Sequence, residues 1–319
     1  MPHPFRPHAE FALACALAAW LSPALSRAAE PSCRLGHVAD LPVQSRDGKL
    51  VTNVRVDDQD LPLIVDTGAA DSFVSESTAR RLAMRIYRPD ERREQLMLRV
   101  EGVGGSRNAV QMVADHVSLG NAHGKQLAFL AADGLTFGAG ADGMLGMDML
   151  HFYDVDIDLQ NHALHLYRPL SDCGSPSVAL HGDLYLLKLQ NVGWTISPVA
   201  TVQINGADMT AMIDTGAFRS TLFRPAAKKL GLLGDMALGG KLGGVGADTV
   251  DVRLQRNVTI DLGDIELTNV PLLIAEQGKI GQADLLLGYD FFARMHVWIS
   301  HSSNTLVLQY PPKPSPPVP

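Results

Sequence analysis

Two aspartates stand where an apolar strand should end: Asp66 closes Leu63-Ile64-Val65, Asp214 closes Ala211-Met212-Ile213, and Thr-Gly-Ala follows each. A carboxylate at the buried end of a strand is costly unless something pairs with it. Two such turns brought face to face supply the partner, because neighbouring carboxylates share one proton. The ionised member then takes a proton from a water held between them, while the protonated member polarises a substrate carbonyl. The chemistry this predicts is amide hydrolysis without a covalent intermediate, with Asp66 and Asp214 as the catalytic residues.

The residues beside them have roles in the same scheme. Thr67 and Thr215 carry hydroxyls able to bond across the interface and lock the turns together. Gly68 and Gly216 lack Cβ, so their backbone can turn sharply and bring N–H groups to the carboxylates. Ala69 and Ala217 offer no hydroxyl to the outer carboxylate oxygens. The first macroscopic pKa of the pair should therefore lie higher than it would with Ser or Thr there, moving activity toward neutral pH.

These turns belong to a repeat. Residues 64–75, IVDTGAADSFVS, recur as 212–223, MIDTGAFRSTLF, at an offset of 148 that holds without a gap from Val54/Val202 to Leu82/Leu230. Further on, ADGMLGMD (141–148) recurs as ADLLLGYD (283–290) at an offset of 142, and VSLG ending at Gly120 matches IDLG ending at Gly263. Ordered matches with small gaps in loop-like sequence are what a duplication leaves.

Each copy reads as short strands with closely spaced turns, Asn205-Gly206 being a strong hairpin signal. A brief helix is expected near residues 78–82 and 225–230, the latter with Pro225 at a first helical position. Glycine-rich hairpins follow, and Gly102, Val103, Gly104, Gly244, Val245 and Gly246 are candidate flaps that close over a substrate. The Met144-Leu145-Gly146 and Leu286-Leu287-Gly288 segments should pack beneath the turns. The expected fold class is all-β, two tandem barrel-like units. Their boundaries are read as signal peptide 1–29, unit 1 at 30–168, linker 169–181, unit 2 at 182–310 and a Pro-rich tail at 311–319.

Asp-Thr-Gly-Ala, a following helix, a glycine-rich flap and an apolar-apolar-Gly element together resemble the retropepsin family of aspartic peptidases, present twice over nearly the whole mature chain. The resemblance implies an all-β acid peptidase, a cleft between the units, the catalytic position at Asp66 and Asp214, peptide or protein substrates, and inhibition by statine peptides. The fusion of two units is similar to the pepsin arrangement in connectivity. It departs from pepsin at Ala69 and Ala217, and neither flap candidate contains tyrosine. The alternative is a retropepsin-fold protein that binds or scaffolds peptides without cleaving them.

Composition narrows the setting. With 319 residues, 46 % hydrophobic and 19 % charged, the chain suits two globular domains; a net charge of −7 offers no basic surface, so nucleic acid is not expected as a partner. Arg6, the apolar run at 11–25 and the small residues Ser26, Ala28 and Ala29 read as an export signal, which predicts a periplasmic or secreted protein with no membrane span after cleavage; an uncleaved anchor is the alternative reading. Cys33 and Cys173 remain after cleavage as the one available intramolecular disulfide, free thiols being the alternative. No cofactor and no metal are expected: His162 and His165 form an HxxH, but the odd spacing puts the rings on opposite faces of a strand. The alternating Asp154, Asp156 and Asp158 read as a solvated strand face rather than a calcium site. Pairing of the units within one chain, as a monomeric pseudo-dimer, is favoured by the fusion; exchange between chains is the alternative.

Overall fold

The duplication becomes one strand order used twice. The computed structural model describes residues 35–88, 97–132, 134–170, 180, 183–190, 196–232 and 237–310. The first copy runs β1 (Leu35–Arg46), β2 (Lys49–Val56), β3 (Gln59–Val65), β4 (Phe73–Ser75), α1 (Glu76–Arg81), β5 (Arg85–Ile86), β6 (Met97–Gly102), β7 (Gly105–Leu119), β8 (Ala122–Ala132), β9 (Gly143–Leu145), α2 (Met147–Leu150), β10 (Asp154–Asp158) and β11 (Ala163–Pro169). The second runs β12 (Leu184–Gln190), β13 (Val199–Ile204), β14 (Ala207–Ile213), β15 (Thr221–Phe223), α3 (Arg224–Lys229), β16 (Ala237–Leu242), β17 (Val250–Asp261), β18 (Glu266–Ala275), β19 (Leu285–Leu287), α4 (Tyr289–Phe292), β20 (His296–Ser300) and β21 (Thr305–Gln309). Among the described residues only β5 has no counterpart. The all-β, two-unit expectation holds, and the two expected helices fall where the sequence put them as α1 and α3, with α2 and α4 in addition.

Local chemistry explains the hairpins that lead to the aspartates. Asn205 and Gly206 take φ of 48° and 78°, and Asp57 and Asp58 take 43° and 66°, so both two-residue turns are left-handed, as the twist of a tight hairpin demands. The strands that follow read as unbroken apolar runs because both of their faces are covered. Leu61, Leu63 and Val65 point into the main core, whereas Ile64 joins a second cluster with Val51 and Phe73. In the second copy Met209, Ala211 and Ile213 enter the main core and Met212 packs with Phe223 and Leu286.

The apolar-apolar-Gly segments do lie beneath the turns, as parallel partners. β3 pairs with β9 through Leu63–Gly143, Ile64–Met144 and Val65–Leu145, and β14 pairs with β19 in the same way. The Leu145 carbonyl accepts from Asp66 N–H and the Leu287 carbonyl from Asp214 N–H, each at 2.9 Å.

A six-stranded antiparallel sheet, in the order β1, β11, β10, β20, β21, β12, joins the two units. At its centre Asp156 pairs with Trp298, its own equivalent at the offset of 142, so the local two-fold axis passes between them. β1 and β12 each serve two sheets: Val43–Arg46 of β1 continue along β2, and Leu189 and Gln190 of β12 pair with β13.

One expectation is overturned here. Asp154, Asp156 and Asp158 do not form a solvated face; all three are buried, because β10 lies in the middle of this sheet. Each carboxylate is satisfied by hydrogen bonds instead. Asp154 accepts from the hydroxyls of Ser300 and Ser302, Asp156 meets His296 Nε2 at 2.5 Å, and Asp158 accepts from the backbone of Gln160 and Asn161 and from the Asn161 amide. The signal segment, Cys33, Cys173 and the Pro-rich tail lie outside the described residues. No helix among the described residues is long and apolar enough to cross a membrane.

Candidate active site

The two Asp-Thr-Gly turns meet head to head. Thr67 and Thr215, both fully buried, exchange hydrogen bonds across the contact: Thr67 N–H donates to Thr215 Oγ1 at 3.0 Å, and Thr215 N–H donates to Thr67 Oγ1 at 3.1 Å. Each hydroxyl then donates to the strand behind the other turn, Thr67 Oγ1 to the Ile213 carbonyl at 2.5 Å and Thr215 Oγ1 to the Val65 carbonyl at 2.7 Å. With about 1 kcal/mol for a typical buried hydrogen bond, this four-bond lock is strong enough to hold two strand ends in register.

Within each turn the carboxylate is tethered to its own backbone. Asp66 Oδ1 accepts from Gly68 N–H (3.0 Å) and Ala69 N–H (2.9 Å), and Asp214 Oδ1 accepts from Gly216 N–H (2.9 Å) and Ala217 N–H (3.0 Å). The glycines are required by proximity. A Cβ built on Gly216 would lie 2.1 Å from Asp66 Oδ2, and one on Gly68 would lie 2.4 Å from Asp214 Cγ. The carboxyls lie close enough that the charge of Asp66 acts on the proton of Asp214.

Electrostatics follow from that crowding. Burial, and then the adjacent negative charge of Asp66, push Asp214 up to about 8. Burial also pushes Asp66 up, against the pull of the Lys49 ammonium and the two turn amides. The pair therefore still holds a proton at neutral pH.

Several supporting residues escaped the sequence reading. Lys49 Nζ donates to the Gly216 carbonyl at 3.2 Å, and Ser197, its equivalent at the offset of 148, donates through Oγ to the Gly68 carbonyl at 3.1 Å. Ser72 Oγ donates to Asp148 at 2.6 Å and accepts from Gly146 N–H, and Ser220, Asp290 and Gly288 repeat this arrangement. The repeat contained the signal: both serines and both aspartates are matched pairs.

The predicted flaps form the roof of the site. β6 and β7 make a hairpin with Val103 and Gly104 at its tip, while β16 and β17 carry the longer loop with Gly244, Val245 and Gly246. The tips interlock: Val245 seats on Gly102 and Val103 on Gly244, and Gly246 N–H donates to the Val103 carbonyl at 3.0 Å while Asp248 N–H donates to that of Gly104 at 3.1 Å. Arg107 reaches across to the Val245 and Gly246 carbonyls at 3.2 and 3.0 Å. The cleft beneath them holds about 710 Å³ and runs from the dyad past Lys49, Phe218 and Arg219 to the flap tips. Hydrogen bonds from a charged donor are worth about 1.5–3 kcal/mol before solvent screening, so Arg107→Ala should loosen the roof. Exchange of the Gly246 and Asp248 amide hydrogens is expected to quicken by about tenfold, with amides of β3 unchanged; equal rates in both proteins would show that Arg107 does not hold the flaps.

Fold and site together define a bilobal aspartic peptidase architecture with its paired carboxylates supplied by one chain. An aspartyl protease family profile matches residues 52–149 and 200–291, the two halves of the repeat, and the chain belongs to that family. Among solved structures, the aspartic proteinase from Irpex lacteus is similar at 14 % identity and a TM-score of 0.51, over 87 % of this chain and 98 % of that one. That likeness concerns the fold. No curated protein matches the sequence.

Proposed function

We propose that this chain is an aspartic endopeptidase that hydrolyses peptide bonds of protein substrates with a water activated between Asp66 and Asp214. The observation that carries the reading is the contact of the two turns, in which each carboxyl is held by its own amides and pressed against the opposite glycine. One proton shared by the pair leaves one carboxylate to accept a proton from water and one carboxyl to donate toward the carbonyl oxygen. The tetrahedral adduct collapses as the amine leaves with a proton, and the pair returns to its starting state. A peptide in extended form fits the roofed cleft between the units, and residues 1–29 support action outside the cytoplasm.

The test is cleavage of an unfolded protein substrate, its block by a statine peptide, and its pH profile. Activity needs the singly protonated pair, so it rises with pH through the first macroscopic pKa and falls through the second. Since the second proton is held up to about 8, cleavage should persist at neutral pH and decline only above it. Converting Ala69 and Ala217 together to Ser should move the acid limb of kcat/KM to lower pH, because the added donors favour the ionised form. A folded chain that cleaves nothing would leave the peptide-binding reading in its place, and a profile already collapsed below neutrality would refute the account of the dyad.

A further inference from the structure

On the joining sheet, remote in sequence from both Asp-Thr-Gly turns, three side chains of metal-binding type converge. His37 and Asp40 come from β1 and His165 from β11, and one ligand atom from each lies within 4.8 Å of the others. Parity in a regular strand forbids this grouping, because residues three apart face opposite sides. A β-bulge makes it: His37 pairs with Tyr167 and Ala39 with Leu166, leaving Val38 as the extra residue. The bulge returns His37 to the face of Asp40, which stands directly opposite His165.

We propose that His37, Asp40 and His165 bind a divalent first-row transition ion of the zinc class, with the fourth position open to water. Two imidazoles and one carboxylate suit such an ion, whereas calcium and magnesium prefer all-oxygen shells. His37 Nε2 and His165 Nδ1 both converge on Asp40 Oδ1, at 2.7 and 2.5 Å. Ligands about 2.0–2.1 Å from a tetrahedral ion stand roughly 3.3 Å apart, so side-chain rotations of under about 1 Å open the cluster around it. Among the described residues, His165 Nε2 is buried without a hydrogen-bond partner. Ligation through Nδ1 exchanges the Nδ1–H bond to Asp40 Oδ1 for a bond to the ion and moves the ring proton to Nε2. Tyr167 braces both rings, with centroids 5.5 Å from His37 and 6.4 Å from His165, and itself stacks on Trp298 at 4.7 Å. The open side is set by exposure: the side chains of His37 and Asp40 are 30 % and 51 % accessible, against 12 % for His165. Bound there, the ion ties β1 to β11 and stiffens the edge of the joining sheet.

The test uses the chain without a histidine tag and carrying Asp66→Asn to prevent self-cleavage, stripped with chelator and titrated with Zn²⁺ by calorimetry. One equivalent should bind in the presence of excess Mg²⁺ and raise the Tm with increasing zinc, and Co²⁺ in its place should give the visible bands of a tetrahedral site. His165→Gln and Asp40→Asn should each weaken binding by about 100-fold or more, while His123→Gln, an exposed histidine on β8, leaves it unchanged. The proposal is overturned if no saturable site is found, if saturation survives in folded His165→Gln, or if His123→Gln reduces zinc uptake as much as the ligand variants do.

Discussion

Asp66→Asn and Asp214→Asn, made separately, should each reduce peptide cleavage by about 10²- to 10⁴-fold or to background while leaving the fold intact. Asparagine keeps the shape of aspartate, and its carbonyl oxygen can accept the same two turn amides. What it cannot do is exchange a proton with water, and the scheme needs both partners for that. Thermal unfolding across pH separates loss of chemistry from loss of structure. The pKa of Asp214 is raised on folding, so the stability it contributes is complete below the ordinary carboxylate value of 3.8 and is lost as pH rises through about 8. Asp214→Asn has no such loss. Its Tm should gain on that of the parent as pH rises through this window. Substantial cleavage by either folded variant would mean that the two carboxyls do not act as one pair.

Gly216→Ala should cost at least about 10²-fold in kcat/KM, the penalty expected when reacting groups are displaced by about 1 Å. The new methyl would sit 2.1 Å from Asp66 Oδ2 and 2.2 Å from its Cγ. Relief requires moving a carboxyl tethered by two amides or breaking the threonine lock. Gly278→Ala supplies the comparison, since a Cβ there meets nothing within 4 Å. If Gly216→Ala cleaves as well as Gly278→Ala, the contact between opposing turns is looser than described.

The parts of this architecture legible in the sequence are those that duplication wrote twice. Asp66 and Asp214, the glycines after them and the paired hairpins could be found because two degraded copies of one pattern share few residues by chance. Parity along a strand misled where sheet position overrode it. Asp154, Asp156 and Asp158 alternate as an exposed face would, and only the pairing of β10 with both β11 and β20 buries them. The partners of Asp154 and Asp156, namely Ser300, Ser302 and His296, lie about 140 residues away, so local pattern carried no trace of them. Val38 is a second case, because nothing in its own type marks it as the extra residue of a bulge. Lys49 was missed because its signal is a mismatch: the repeat places Ser197 opposite it, and similarity searching discards the positions where copies differ.

Those differences set a direction. Two identical units around a true axis would accept a peptide equally well from either end. Here an ammonium reaches one turn where a hydroxyl reaches the other, and the arginine that spans the roof comes from one flap and bonds the backbone of the other. A chain lying in the cleft therefore meets unlike neighbours at its two ends, and its two orientations differ in energy. Covalent fusion is what lets such differences persist, since a change in one copy no longer appears in both. The cleft has acquired a head and a tail.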